Sequence, residues 1–250
     1  MMHDRIDTCP EATDASLLDN QRDREGAAWF ADAVVPPILM SMAPSDTRIS
    51  PEAVEMTAAF LVGDAETYAR RYAGCYWPGG LAGATLGIGY DLGYVTSAMN
   101  ATDWEGVLDG EWIHKLVSGL GLRGDPGGPA LAAFFADAGL SIPWDQAMMV
   151  HRERVIPRWT GLVERALPNT GMLSSHQLGA LVSLAMSRGV QFASIGDRYV
   201  EMRKIAQHMR DRRFDRIPGE IAAMTRLCRD TPGLKSRRQM EAALFATGID

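Results

Sequence analysis

The chain has 250 residues, 46% of them apolar and 22% charged, with a formal net charge of −6. That length is enough for one substantial core, and the acidic balance excludes a general nucleic-acid binder, which needs a cationic surface. Cys9, Cys75, Cys228 and the five histidines fall in no CxxC or HExxH spacing, so neither a disulfide framework nor a metal site is expected, and no cofactor motif is present.

Residues 1–48 read as a poorly structured arm with a short helix around Ala27–Val34. Its polar start and the proline-broken run ADAVVPPILMSMAP give neither a signal sequence nor a membrane span. Ser50 can cap a helix with Pro51 in its first turn and Val54, Ala58, Leu61 and Val62 on one stripe, ending before Gly63. Asp64 can cap a second short helix over AETYARRYA.

The segment GGLAGATLGIGYDLGY follows. Its glycines match neither GxGxxG nor a GK[ST] phosphate loop, and no βαβ pattern surrounds them. A small β-hairpin fits better, with Thr85, Gly87 and Gly89 on one face and Leu86, Ile88 and Tyr90 on the other. The glycine face admits a bulky ligand, with Thr85 and Asp91 at its border, or equally packs under an aromatic.

From Trp104 onward the pattern is helical, interrupted at GLRGDPGGP, GLSIPW and LPNTG. In SSHQLGALVSLAMSRG, Ser174 and Gln177 form a capping box, Leu178, Leu181, Val182 and Ala185 form a buried stripe, and Gly189 closes the helix. Small residues at 179, 183 and 187 allow close packing. Tyr199 to Met209, Pro218 to Cys228, and SRRQMEAALFATG mark three more helices. Between Asp197 and Arg238 there are twelve Lys/Arg against six Asp/Glu. Such a face suits a polyanionic partner, although solvated helix arginines give the same count.

A helix, a glycine-rich hairpin of form T-[IL]-G-I-G and a helical bundle together resemble the phage-type lysozymes and pesticin-like muramidases. ATLGIGYDLGY, ALVSLAMSRG and the Arg237-Arg238 pair before an apolar helix carry the resemblance, over roughly Ser50 to Gly248. It implies a mainly α (α+β) fold in residues 49–250, a lysozyme-like helical bundle with a small glycine-rich β-hairpin lobe. It also implies hydrolysis of the β-1,4 link between N-acetylmuramic acid and N-acetylglucosamine in peptidoglycan. In that chemistry two carboxylates flank the scissile bond. Thr85 matches the family's hairpin threonine and Asp91 its second acidic position, with Tyr90, Gly87 and Gly89 lining the substrate face.

The family's general acid stands about seven residues before an aromatic, which here counts back from Tyr68 to Leu61. Leucine cannot donate a proton, and Leu61 also reads as a plain core residue. Glu66, or else Asp64, is the nearest replacement, although both also read as first-turn helix carboxylates. The expected protein is therefore a peptidoglycan-degrading muramidase, an antibacterial effector or phage-type lysin. The rival is a degenerate module that binds glycan or protein without cutting. Nucleophilic catalysis by Cys75 is a third, weaker option. With no export signal, such a protein is expected in the producer's cytoplasm, reaching the cell wall with a delivery protein, and an inhibitor protein is a second expected partner.

Overall fold

The structure, a computed structural model, describes residues 43–79, 82–228 and 232–248. The helix expected at Ala27–Val34, and the arm apart from residues 43–48, lie outside the described residues. Residues 43–48 run extended along the helical body: Ser45 N–H donates to the Pro157 carbonyl at 2.9 Å, and Arg48 pairs with Glu153 at 2.8 Å.

Helix α1 spans Pro51–Val62, with the Ser50 side chain accepting from the Ala53 amide and Gly63 leaving the helix at φ 78°. Helix α2 spans Ala65–Arg71 beneath its Asp64 cap. The hairpin pairs β1 (Thr85–Leu86) with β2 (Tyr90–Asp91) in antiparallel register. Helix α3, Ser97–Trp104, starts on a Thr96 cap that the sequence pattern had not marked as a helix start. Helices α4 (Gly110–Leu116) and α5 (Gly127–Asp137) follow.

Next comes one long helical run. Helix α6, Trp144–Val150, passes through a π turn at His151–Val155 into α7, Ile156–Ala166. Pro157 has no N–H to close an i→i−4 bond, which loosens the ladder where the wider turn sits. Helix α8, Ser175–Arg188, carries the complete Ser174–Gln177 capping box and stops at Gly189. Helices α9 (Val200–Asp211), α10 (Ile217–Ala223) and α11 (Pro232–Ala246) complete the described residues. The protein is thus mainly helical with one small antiparallel sheet.

Two apolar clusters make the core. One gathers Leu181, Leu184, Met202, Ile205, Ile221 and Phe245 around α8. The other gathers Tyr68, Leu86, Tyr90, Trp104, Phe135 and Ile142 around the hairpin. Helix α1 serves both, giving Ala53 and Val54 to the first and Ala58 and Val62 to the second. Its approach to α8 depends on Gly179, where any Cβ would collide with the Ala53 methyl.

The other small residues on α8 serve α11. Ser183 Oγ donates to Glu241 at 2.6 Å and Ser187 Oγ accepts from Arg238. Arg237 and Arg238 share Glu241, at 3.1 and 3.2 Å, and all three side chains are almost fully buried. These two arginines therefore belong neither to a face for a polyanionic partner nor to a solvated one: they tie α11 to α8 inside the protein. Glu241 offsets one of their two charges where water is excluded, and serine oxygens of α8 take further guanidinium donors.

Candidate functional site

The hairpin register sets the site. Thr85 lies directly opposite Asp91, and Leu86 opposite Tyr90. Opposed residues of an antiparallel pair project on the same face, so Thr85 and Asp91 share one face and Leu86 and Tyr90 the other. The second face is core. Tyr90 is buried, donates its hydroxyl to Asp103 at 2.8 Å and meets Trp104 edge-on at 5.1 Å. Arg158 Nη1 donates to the same Asp103 at 2.6 Å. Tyr90 therefore anchors the hairpin to α3 and α7 and is not turned toward a ligand, contrary to its expected place on the substrate face.

Gly87 and Gly89 form the tip, at φ 55° and 71°, where only glycine is unstrained. The alternation expected through them stops at this turn. Nor is their surface bare: a Cβ on Gly87 would lie 3.3 Å from Trp104 Cη2, and one on Gly89 would lie 3.0 Å from Leu61 Cδ1. Aromatic and leucine side chains of the protein itself fill the space that glycine leaves.

On the first face, Asp91 Oδ1 accepts from the Gly83 amide at 2.9 Å and the Gly93 amide at 2.8 Å. Burial pushes its carboxyl up to about 7, opposed by these two amides and by the nearby Arg123 guanidinium. A carboxyl whose proton is held near neutrality is suited to giving it up in a reaction. Thr85 is buried, and its hydroxyl donates to the Gly83 carbonyl at 3.2 Å. The Thr85 hydroxyl is thereby turned inward onto its own segment of chain rather than into solvent.

Glu66 stands elsewhere. It occupies the first turn of α2 with its side chain 78% exposed and pairs with Arg70 at 3.4 Å. No hydrogen bond or ion pair joins it to the hairpin among the described residues. Asp64 is committed to its cap, accepting from the Thr67 amide at 2.7 Å, which holds its carboxyl below the usual range. Leu61, by contrast, reaches the hairpin tip from α1, lying on Gly89. Tyr68, the aromatic used to count back to it, is buried with its hydroxyl on the Ile142 carbonyl at 2.9 Å.

Two further groups lie near. The Cys75 thiol is buried and pushed up to about 12 by desolvation, so it stays protonated and is a poor nucleophile. His151 is buried against Thr57 Oγ1 at 2.9 Å, and desolvation lowers it to about 4, opposed by the Ile88 carbonyl. No cluster of His, Cys, Asp or Glu could hold a metal among the described residues. Nor is any described helix long and apolar enough to cross a membrane.

Arg123, absent from the sequence reading, also belongs to this face. Its segment was read only as punctuation, and the GLRGDPGGP pattern carries no signal for where it docks. In the structure Arg123 bridges backbone to backbone with Gly83, and its guanidinium lies 4.8 Å from the Tyr94 ring centre. Compared with protein-family models, curated proteins and solved structures, the chain finds no match.

Proposed function

We propose that this is a lysozyme-like, peptidoglycan-directed protein in which Asp91 is the principal catalytic carboxyl. The observation that carries the proposal is the Asp91 environment: a hairpin carboxyl opposite Thr85, held by two amides and pushed up to about 7. Such a group is protonated at mildly acidic pH. It then acts as the donor to the leaving glycosidic oxygen rather than as the ionised partner, and a role for Thr85 in orienting the attacking water would require its buried hydroxyl to leave the Gly83 carbonyl. The substrate class, a muramic-acid-containing glycan, comes from the sequence resemblance together with this hairpin.

One observation favours a second reading. Leu61, not a carboxylate, covers Gly89 at the end of α1, and Glu66 points into solvent. A glycoside hydrolase of the two-carboxylate kind lacks its second member in that geometry. The second reading is therefore a module that holds the glycan without cutting it.

Incubation with purified sacculi separates the two. Wild-type protein that releases new reducing ends on muramic acid, with release lost in Asp91→Asn, supports the enzyme. Sedimentation with sacculi and no release supports the binding module. Neither release nor binding removes peptidoglycan from the account.

A further inference from the structure

Arg123 is placed with more care than an exposed arginine needs. Its segment is stapled to the hairpin region by two backbone contacts: the antiparallel Gly83–Arg123 bridge, closed by Gly124 N–H to the Ala82 carbonyl at 3.0 Å, and Gly121 N–H to the Leu92 carbonyl at 3.0 Å. The Ala82 carbonyl also takes the Trp77 indole N–H at 3.0 Å. Close approach is enforced by missing side chains. A Cβ on Gly83 would lie 2.7 Å from the Leu122 carbonyl oxygen, and one on Gly93 would strike the Arg123 stem. These are the same two glycines whose amides hold Asp91.

The Arg123 stem is thereby laid across Gly93 and its guanidinium over Tyr94, beside the Asp91 carboxyl. Arg123 itself is exposed and forms no ion pair with a described carboxylate. The Asp91 carboxyl feels the Arg123 charge, but no ion pair forms between them, and Asp91 Oδ1 is held by the two amides. What results is a planar cation held on a rigid backbone at the edge of the candidate catalytic face, hydrogen-bonded to the Tyr94 side chain and otherwise exposed to solvent. Guanidinium geometry matches a carboxylate through two parallel N–H···O bonds, and stacking on Tyr94 reduces the rotamer freedom lost on binding.

We propose that Arg123 is a specificity residue that binds a carboxylate of the glycan beside the bond presented to Asp91. This rests on the peptidoglycan reading and deepens it by naming the group recognised. Two sources carry that chemistry: the lactyl carboxylate of bare muramic acid, and a carboxylate of an attached stem peptide.

The test is a set of affinities at low ionic strength, with circular dichroism confirming that each variant is folded. The probes are soluble glycan strands stripped of peptide, the same strands with their lactyl carboxylates converted to methylamides, strands that retain the stem, and a chitin oligomer with no carboxylate. Wild-type protein is expected to prefer carboxylate-bearing strands over methylamide strands by about tenfold or more. Arg123→Gln should bring that ratio close to one, with Arg123→Lys between. A preference confined to stem-bearing strands assigns the stem as the source, and one shown by peptide-free strands assigns the lactyl group; either supports the proposal. Wild-type binding to methylamide strands equal to that of both the peptide-free and the stem-bearing carboxylate strands overturns the Arg123 subsite while leaving the glycan reading intact. A wild-type preference that survives Arg123→Gln also overturns it. Binding to none of the four probes overturns the glycan reading and the subsite with it.

Discussion

Leu61 lies over Gly89, so closely that a single methyl on the glycine would come 3.0 Å from Leu61 Cδ1. The last turn of α1 therefore delivers a side chain to the hairpin tip, and that side chain cannot carry a proton. Leu61→Glu should place a carboxyl there. Because Leu61 is only partly buried, the expected cost is about 1–2 kcal/mol, read from urea unfolding. Release of reducing sugar should rise at least tenfold, within the range expected for a restored acid or base. A folded variant with no gain in release would show that the hairpin tip is not where chemistry occurs.

Asp91→Asn should lower cleavage by about 10²- to 10⁴-fold. The amide keeps an acceptor for Gly83 and Gly93, so the fold should persist. Its effect on stability has a definite sign. Between the ordinary aspartate value, about 4, and about 7, the folded chain keeps a proton that the unfolded chain has released. Stability therefore falls as pH rises through that window and stays lower above it. The variant should thus be more stable than wild type at pH 8, by about 1 kcal/mol or more, and equal to it below pH 4. In the wild type, cleavage should fall as pH rises through 7. Matched denaturation curves and a pH–rate profile check both statements.

His151 acts in the opposite sense. Its folded value is lowered to about 4, so between about 6.5 and 4 the unfolded chain takes up a proton that the folded chain refuses. Stability is lost as pH falls through that window. In His151→Gln this acid-side decline should be shallower, with melting temperature followed from pH 7 to pH 4 as the measurement.

Glu241 is the one carboxylate paired with two buried arginines among the described residues. Glu241→Gln should destabilise by about 3–5 kcal/mol, since it leaves Arg237 and Arg238 charged and poorly matched. Sacculus binding by the wild-type protein should owe nothing specific to these two residues, because neither reaches the surface.

Local signals in the sequence were legible where one residue decides a backbone state. Ser50 with Pro51, Asp64, Ser174 with Gln177, and Gly189 each marked a helix end that the structure contains. The hairpin segment was legible from its β-like run, but not its turn. Strict alternation across Gly87 and Gly89 requires extended backbone, and both glycines have positive φ instead. The placement of Tyr90 followed from a partner, Asp103, that no local pattern announces. Charge counting failed at Arg237 and Arg238 because composition does not report burial, and α11 folds back onto two serines of α8 to receive them. Arg123 was missed for a related reason: its position depends on backbone contacts with residues far away in sequence.

Helix α1 leaves the ribosome before α8, yet the glycine that receives Ala53 lies in α8, far along the chain from it. Until α8 has left the ribosome, Ala53 and Val54 have no surface to pack on, and the hairpin's neighbours have only half of their shared wall. The nascent protein thus carries a half-covered apolar helix until α8 emerges, the interval in which such surfaces recruit chaperones or aggregate. Shortening the chain from its C-terminal side should for the same reason cost the hairpin its order as well, although no residue of α9 to α11 need touch it.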